Sequence, residues 1–401
     1  LHSQSNITYS MYYPFWDGNI TCNWPLIILW TAVKSVVTSL NFFSKPNQRL
    51  GVELTPERVN LVQLEQSKKG LSVGAFASLP LPEGSFRDGR IEDLDAIADV
   101  IRQGLEDKKI KTRRAVSAVP VGEAVIRLIR LPAELDDFEL RDMVLNQEAA
   151  LYLPFAREDA DVDFQKLDTA IDDDGIERVE ILLVATPKEV TDAYLNVFEL
   201  AGLQLKVLEV SSFALLRTLR EQLAQFVTGE AVALVNIDCD GSEISIVLDG
   251  VPQFNRKIPI GTSQLQSALS RAMNLPTSMG ADLLQGMSVP LSASPTETMV
   301  GDAANPSAAA ILRMLGDLSD ELRRSIDFYL NQGEDLEITQ VFLSGPGAGI
   351  GQIDEFFSMR LGYPTTLVDP IEALRIQGLA DIPAAQRPAL GIVMGLGLRE
   401  V

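Results

Sequence analysis

Residues 231–261, AVALVNIDCDGSEISIVLDGVPQFNRKIPIG, read as three strands joined by two tight turns. Residues 231–237 are an apolar run rich in β-forming side chains. Asp240-Gly241 marks the first turn, because glycine adopts positive φ without strain and aspartate bonds its own backbone. Ile244, Val247 and Leu248 carry the second strand, Asp249-Gly250 turns the chain again, and residues 251–260 return. Gly261 then leads into a helix over 262–273. A meander that ends on a glycine and a helix N-terminus can present backbone N–H groups to a phosphate. The same residues read equally as an ordinary buried sheet with two hairpins.

Residues 51–81, GVELTPERVNLVQLEQSKKGLSVGAFASLPL, follow the same plan of strand, polar turn, strand, Lys-Lys-Gly turn and strand. Glu53-Leu54-Thr55 aligns with Asn236-Ile237-Asp238, and a helix pattern follows each meander. A repeat on the scale of half the molecule predicts two related lobes whose turns flank a cleft.

The totals narrow the chemistry. The 401 residues suffice for an extension and two lobes, each with a real core. Lys and Arg number 34 against 55 Asp and Glu, a net charge of −21, which argues against nucleic-acid binding and broad docking on anionic lipid. Two cysteines, Cys22 and Cys239, make no disulfide framework and fit a reducing cytoplasm. The one histidine is His2, so the folded part has no His-based acid–base pair, nucleophile or metal ligand.

Residues 1–47 look foreign to the rest. They hold all three Trp (Trp16, Trp24, Trp30) and few charges. The apolar run 24–33 is about half of the ~20 residues a spanning helix needs, and no basic region precedes it. The expectation is a native start near Val33, followed by a short amphipathic helix carrying Val33, Val36, Val37 and Leu40. Further on, residues 80–89 read as a Pro/Gly linker and 92–108 as a helix. Residues 115–121 and 124–131 read as strands, 138–152 as a helix, 162–170 and 179–185 as strands, and 186–201 as a helix. Residues 115–200 are therefore expected to form a compact unit inserted in the first lobe. A strand over 205–210 and a helix over 212–226 follow. Residues 278–307, rich in Ser, Pro, Gly, Met and Thr, read as a long mobile loop before a helix over 308–332. A strand over 338–343 feeds Ser344-Gly-Pro-Gly-Ala-Gly-Ile-Gly351, which matches neither the Walker nor the dinucleotide fingerprint. A glycine-studded helix over 389–398 suits close packing in an interlobe seam.

This order resembles the actin-like ATPase superfamily, and within it the PilM family of type IV pilus assembly proteins. The carriers are AVIRLIRLP (124–132), ELRDMVLNQEAALYLPF (139–155), VDFQKL (162–167), LVATPK (183–188), IPIG (258–261), ELRRSIDFY (321–329) and the turn at 343–351. The resemblance spans about residues 50 to 399. It implies a two-lobed α/β fold of the actin-like, ribonuclease-H-like kind, with duplicated β-meander/helix units and an inserted subdomain. The implied division is an extension at 1–47, first-lobe segments at 48–114 and 201–229, and the insert at 115–200. The second lobe follows at 230–382, and a C-terminal helix at 383–401 returns to the first lobe.

The resemblance also implies an ATP- and Mg2+-binding cleft. Its nucleotide contacts would be Thr55, Asp238, Gly241, Ser242, Gly261, Glu321, Arg324, Gly345, Gly347 and Ala348. The acidic positions of the family stand here as Glu53 and Asn236, and Glu53 alone retains the reach to a metal ion. Thr55 and Pro56 replace small turn residues, and Pro56 removes an N–H. Asp238 and Asp240 would face phosphate oxygens. Hydrolysis, which needs neutralised phosphate charge and an oriented water, is expected to be weak or absent.

The family resemblance further implies a partner, the N-terminal tail of a PilN-like inner-membrane protein. The tail would lie against 124–131 and 138–152, with Ile126, Leu128, Met143 and Leu151 at the contact, on a cytoplasmic protein held peripherally at the membrane. Met143, Val144 and Leu151 read equally as core of the insert, and at least two of them are expected there. Two other readings stand beside this one: an active actin-like ATPase, and an actin-like cell-division membrane anchor. The anchor would carry an amphipathic C-terminal helix that Leu398–Val401 does not supply.

Overall fold

The computed structural model describes residues 49–400, apart from 68–69, 172–174, 277–283, 285, 291–305, 334–335 and 380. The expectations for residues 1–47, and most of those for 278–307, lie outside the described residues. β1 (Leu50–Leu54), β2 (Arg58–Ser67) and β3 (Gly70–Pro80) form the expected antiparallel meander. The stretch 80–89, read as a linker, contains half of a small hairpin, β4 (Phe86–Arg87) and β5 (Arg90–Ile91). Its turn uses positive φ at both Asp88 (52°) and Gly89 (93°), the combination that matches strand twist in a two-residue hairpin. Helix α1 (Leu94–Asp107) is capped by Asp93, whose carboxylate accepts the Ala96 N–H. Its Ile97, Ala98, Ile101 and Leu105 are buried against the sheet.

β6 (Arg114–Val119) pairs in parallel with β1. The chain then passes a 3-10 turn at Val121–Glu123 and builds a separate sheet. β7 (Val125–Pro132) leads to α2 (Asp137–Asp142), a π-helical stretch at Met143–Glu148 and α3 (Ala149–Tyr152). Then come β8 (Ala160–Ile171) and β9 (Glu177–Pro187), in the order β7-β9-β8. Asp136 and Glu139 cap α2 reciprocally. The helix expected over 138–152 is thus interrupted by a π segment, and Leu140, Val144 and Ala149 still reach the sheet.

α4 (Lys188–Leu200) buries Val190, Tyr194, Val197 and Phe198 in the same core as α1. β10 (Gln204–Val210) pairs in parallel with β6. The first-lobe sheet therefore runs β10-β6-β1-β2-β3. This corrects the unit expected over 115–200: its first strand and last helix belong to the first lobe, and the separate sheet begins at Val125 and ends at Pro187. An apolar run such as Ala115–Val119 has no feature that says which sheet it will join.

α5 (Ser211–Thr218) and α6 (Arg220–Leu223) divide the helix expected over 212–226. β11 (Ala231–Ile237), β12 (Ser242–Leu248) and β13 (Val251–Ile258) form the second meander, followed by α7 (Thr262–Met273). α8 (Pro306–Leu330), β14 (Ile338–Ser344), α9 (Ile353–Leu361), β15 (Thr365–Leu367) and α10 (Pro370–Ala373) complete the second lobe. Its sheet runs β13-β12-β11-β14-β15, with β14 and β15 parallel to the central strand. Each lobe thus sets an antiparallel meander on one side of its central strand and two parallel strands on the other. That is the duplication expected from the sequence.

A 3-10 segment at Ala384–Leu390 leads to α11 (Gly391–Leu398). Its Ile392 and Leu396 join Val116, Val207, Ala214 and Leu215 of the first lobe and Val232, Leu234 and Phe342 of the second in one apolar cluster. This cluster is the seam between the lobes. Gly316, inside α8, has open space around it: a Cβ there would meet only Arg360 Nη2, at 3.4 Å. Gly316→Ala is expected to leave Tm unchanged or raise stability by about 0.5–1 kcal/mol, measured by thermal unfolding.

Candidate functional site

The turns aligned in sequence meet in space. β1, β11 and β14 end at the same side of the seam, and Ser344 of β14 is in register with Asn236 of β11. Gly345, at φ 86°, approaches β11 so closely that a Cβ would lie 2.7 Å from Asn236 Oδ1 and 2.5 Å from the Ile237 carbonyl. A Cβ on Gly347 would lie 2.2 Å from Ile237 Cγ2, and Ala348 is buried beside them. This third turn is held by the Gly345 N–H, which donates to the Pro388 carbonyl at 3.0 Å.

The backbone donors of the first two turns are largely engaged within the chain. The Thr55 N–H and hydroxyl both donate to the Arg58 carbonyl, at 2.9 and 3.0 Å, and Pro56 has no N–H. In the second turn Asp238 N–H donates to Gly241 O at 3.0 Å, and Cys239 N–H to Asp238 Oδ1 at 2.7 Å. At the start of α7, Thr262 and Ser263 N–H donate to the Asp238 and Cys239 carbonyls, and the Gly261 N–H to Gln264 Oε1. A Cβ on Gly261 would sit 2.4 Å from both of those carbonyl oxygens, so only glycine fits. Gly241 is packed under the Ile258 carbonyl, and Ser242 Oγ donates to Ile260 O at 2.6 Å.

The cleft is acidic. Glu53 is buried; Asn60 Nδ2 donates to its Oε2 at 3.0 Å, while Ser78 Oγ donates to Asn60 Oδ1 at 2.6 Å. Burial, and to a lesser degree Asp238 and Glu243 nearby, push the Glu53 carboxyl up to about 8. Burial raises Asp238 to about 6, with Glu57 and Asp240 adding to it. Burial raises Glu243 to about 7, against the hydrogen bond from Ser211. The Cys239 thiol is pushed up by burial and then by Glu57 and Asp238.

Five hydrogen bonds cross between the lobes here. Cys239 Sγ donates to Glu57 Oε1 (3.4 Å), Asp88 N–H to Asp240 Oδ2 (2.8 Å) and Lys257 Nζ to Asp88 O (3.3 Å). The Val121 N–H and Ser211 hydroxyl donate to Glu243 Oε1 (2.8 Å) and Oε2 (3.0 Å). Glu243 is the residue that sequence reasoning missed. Its only signal is a lone carboxylate in the strand SEISIVL, which is buried over nearly its whole length.

All three carboxyls hold protons more tightly in the folded chain, so folding stability falls as pH rises from their usual values near 4 through about 8. Glu53→Gln is expected to flatten this slope between about pH 5 and pH 8. The gain over the wild type grows with pH, by at most about 1.4 kcal/mol per pH unit, and Tm against pH measures it.

Glu321 and Arg324 of α8 pair with each other, and Arg256 Nη2 also donates to Glu321 Oε2 at 2.8 Å. Among the described residues no three His, Cys, Asp or Glu side chains converge as a metal-ligand set. A small cavity with room for about one water is lined by Asn236, Glu243, Ser211 and Ser212. Of the residues expected at a partner contact, Ile126 is buried in the first-lobe core, Leu128 and Met143 are half-buried, and Leu151 is 73% exposed. Val144 is wholly buried and Met143 packs on the insert core beside it. Exposed large apolar side chains gather in the insert: Phe138, Leu151, Tyr152, Ile171 and Ile176. No helix among the described residues is long and apolar enough to cross a membrane.

The sequence profile of the family described as type IV pilus assembly protein PilM matches residues 51–285. Among solved structures, the chain is similar to one in a PilM–PilN type IV pilus biogenesis complex, with 24% identity and a TM-score of 0.74 over 88% of this chain and 99% of that one. It is also similar to the ethanolamine utilization protein EutJ from Carboxydothermus hydrogenoformans, with 15% identity and a TM-score of 0.52 over 88% of this chain and 90% of that one. These likenesses agree with the two-lobed actin-like fold described above.

Proposed function

The chain belongs to the PilM family of type IV pilus assembly proteins, and on that premise we propose that it is a scaffold gripping the N-terminal tail of a PilN-like inner-membrane protein. The observation that carries this reading is the insert. Among the described residues its strand β7 pairs with β9 alone, which leaves one edge of its backbone N–H and C=O groups outside the described ladders. An extended tail can add to such an edge, and apolar side chains beside it supply affinity. Exposed Leu151 on α3 is one anchor, with half-buried Met143 on the insert core of the same face, and half-buried Leu128 is a second on the opposite face of β7, opposite Leu182. Ile126 is part of the first-lobe core and acts by holding β7 in place. The placement proposed is cytoplasmic, against the inner membrane through the partner. ATP hydrolysis is weak or absent, because Pro56 lacks an N–H and Asn236 is neutral.

The test is co-purification and fluorescence anisotropy with a peptide of the PilN-like partner's N-terminal tail. Leu151→Asp and Leu128→Asp are each expected to weaken binding by about tenfold or more, the cost of an apolar anchor. Unchanged affinity in both variants, with the fold intact by circular dichroism, would sink the assignment.

A further inference from the structure

A cleft that holds a nucleoside triphosphate needs free backbone N–H groups, a cation, and room between the lobes. Here the corresponding turns face each other with carboxylates. Glu53 and Glu57 stand on the first-lobe side, with Asp238, Asp240 and Glu243 on the second. Among the described residues, Lys257 is the one cation in these cross-lobe bonds, and its ammonium donates to the Asp88 carbonyl. The N–H groups of Thr55, Asp238, Cys239, Gly261, Thr262 and Ser263 already donate to oxygens of this chain. The donor set therefore does not fit the phosphates and Mg2+ that the fold implies.

Three of the five bonds that cross the cleft share one form. A donor of the first lobe meets a carboxylate of the second at two places: Asp88 N–H at Asp240, and Val121 N–H with Ser211 Oγ at Glu243. A bound nucleotide would draw two lobes together by offering anionic oxygens to both. We propose that this cleft is a self-ligated joint, in which the carboxylates of Asp240 and Glu243 take the part of nucleotide phosphates and hold the lobes closed without Mg-ATP. Glu57 and Cys239 add a further contact between the two turns.

Two measurements on the full chain test this. Mg-ATP and Mg-ADP at millimolar concentration are expected to move Tm by less than about 1 °C, where a ligand at a hundred times its Kd would shift it by several degrees. Hydrogen exchange followed by mass spectrometry reads the joint itself. Asp240→Ala is expected to speed exchange in the peptide containing Asp88 by about tenfold, and Glu243→Ala that containing Val121. Asp240 lies in a turn, so its variant keeps the sheet even if Glu243→Ala unfolds the lobe. A Tm rise of several degrees with Mg-ATP, or nucleotide protection of either peptide, overturns the proposal. So does unchanged exchange at Asp88 in Asp240→Ala. Tail-peptide binding is measured separately, and its loss bears on the scaffold reading alone.

Discussion

Glu209→Ala is expected to cost about 3–5 kcal/mol of stability, the range for removing one partner of a buried ion pair. Glu209, on β10, has a side chain only 4% exposed and receives Arg217 through two bonds of 2.7 Å. Arg399 lies 3.8 Å from the same carboxylate, with a side chain 7% exposed. Arg217 also donates to the Gly395 carbonyl at 2.9 Å, tying α5 to α11. Burial, opposed by Glu209 and reinforced by Arg217, holds the Arg399 guanidinium below its usual value. Without Glu209 two buried guanidinium groups would repel one another in the seam. Chemical denaturation should show the loss as a lower midpoint with an unchanged slope. A change under 1 kcal/mol would mean that water reaches these arginines.

Gly395→Val is expected to be of similar size, about 3 kcal/mol or more, and to act through volume rather than charge. A Cβ at Gly395 would stand 1.8 Å from the Ala214 carbonyl oxygen and 2.5 Å from its carbon. Backbone cannot swing aside as a flexible side chain can, so α11 must move off α5. Thr218 Oγ1, which donates to Gly391 O at 2.6 Å, would lose its partner in the same step. Thermal unfolding and limited proteolysis at the C-terminus measure the outcome. Gly316→Ala, with open space around it, has the opposite expected sign and serves as its control.

The residues settle a good deal without coordinates. The two meanders, their turns at Asp240-Gly241 and Asp249-Gly250, and the helix after Gly261 follow from local rules: strand alternation, glycine's freedom, and a helix start. The repeat of that pattern in 51–81 and 231–261 dictates two lobes of one topology. The seam helix with its glycines was legible for the same reason, since small residues at close spacing serve close approach. What one-dimensional pattern does not carry is the neighbour across space. Ala115–Val119 gives no sign that it joins the first sheet rather than the insert, because burial on both faces looks alike in either sheet. The π segment at Met143–Glu148 is invisible because it shifts the helix by a single residue.

The acidic turns and Pro56 lead, from sequence alone, to the expectation of a weakened phosphate site. Only the tertiary structure shows which donors meet those carboxylates. Glu243 reads as a stray charge in a strand until Val121 and Ser211, from distant parts of the chain, are seen to donate to it. Local order is written in neighbouring residues, because backbone geometry and side-chain period act over a few positions. The carboxylates and donors that meet across the cleft are more than a hundred residues apart at Asp88–Asp240, Val121–Glu243 and Glu57–Cys239, and tens apart only at Ser211–Glu243. Those pairs exist only once both sheets have packed.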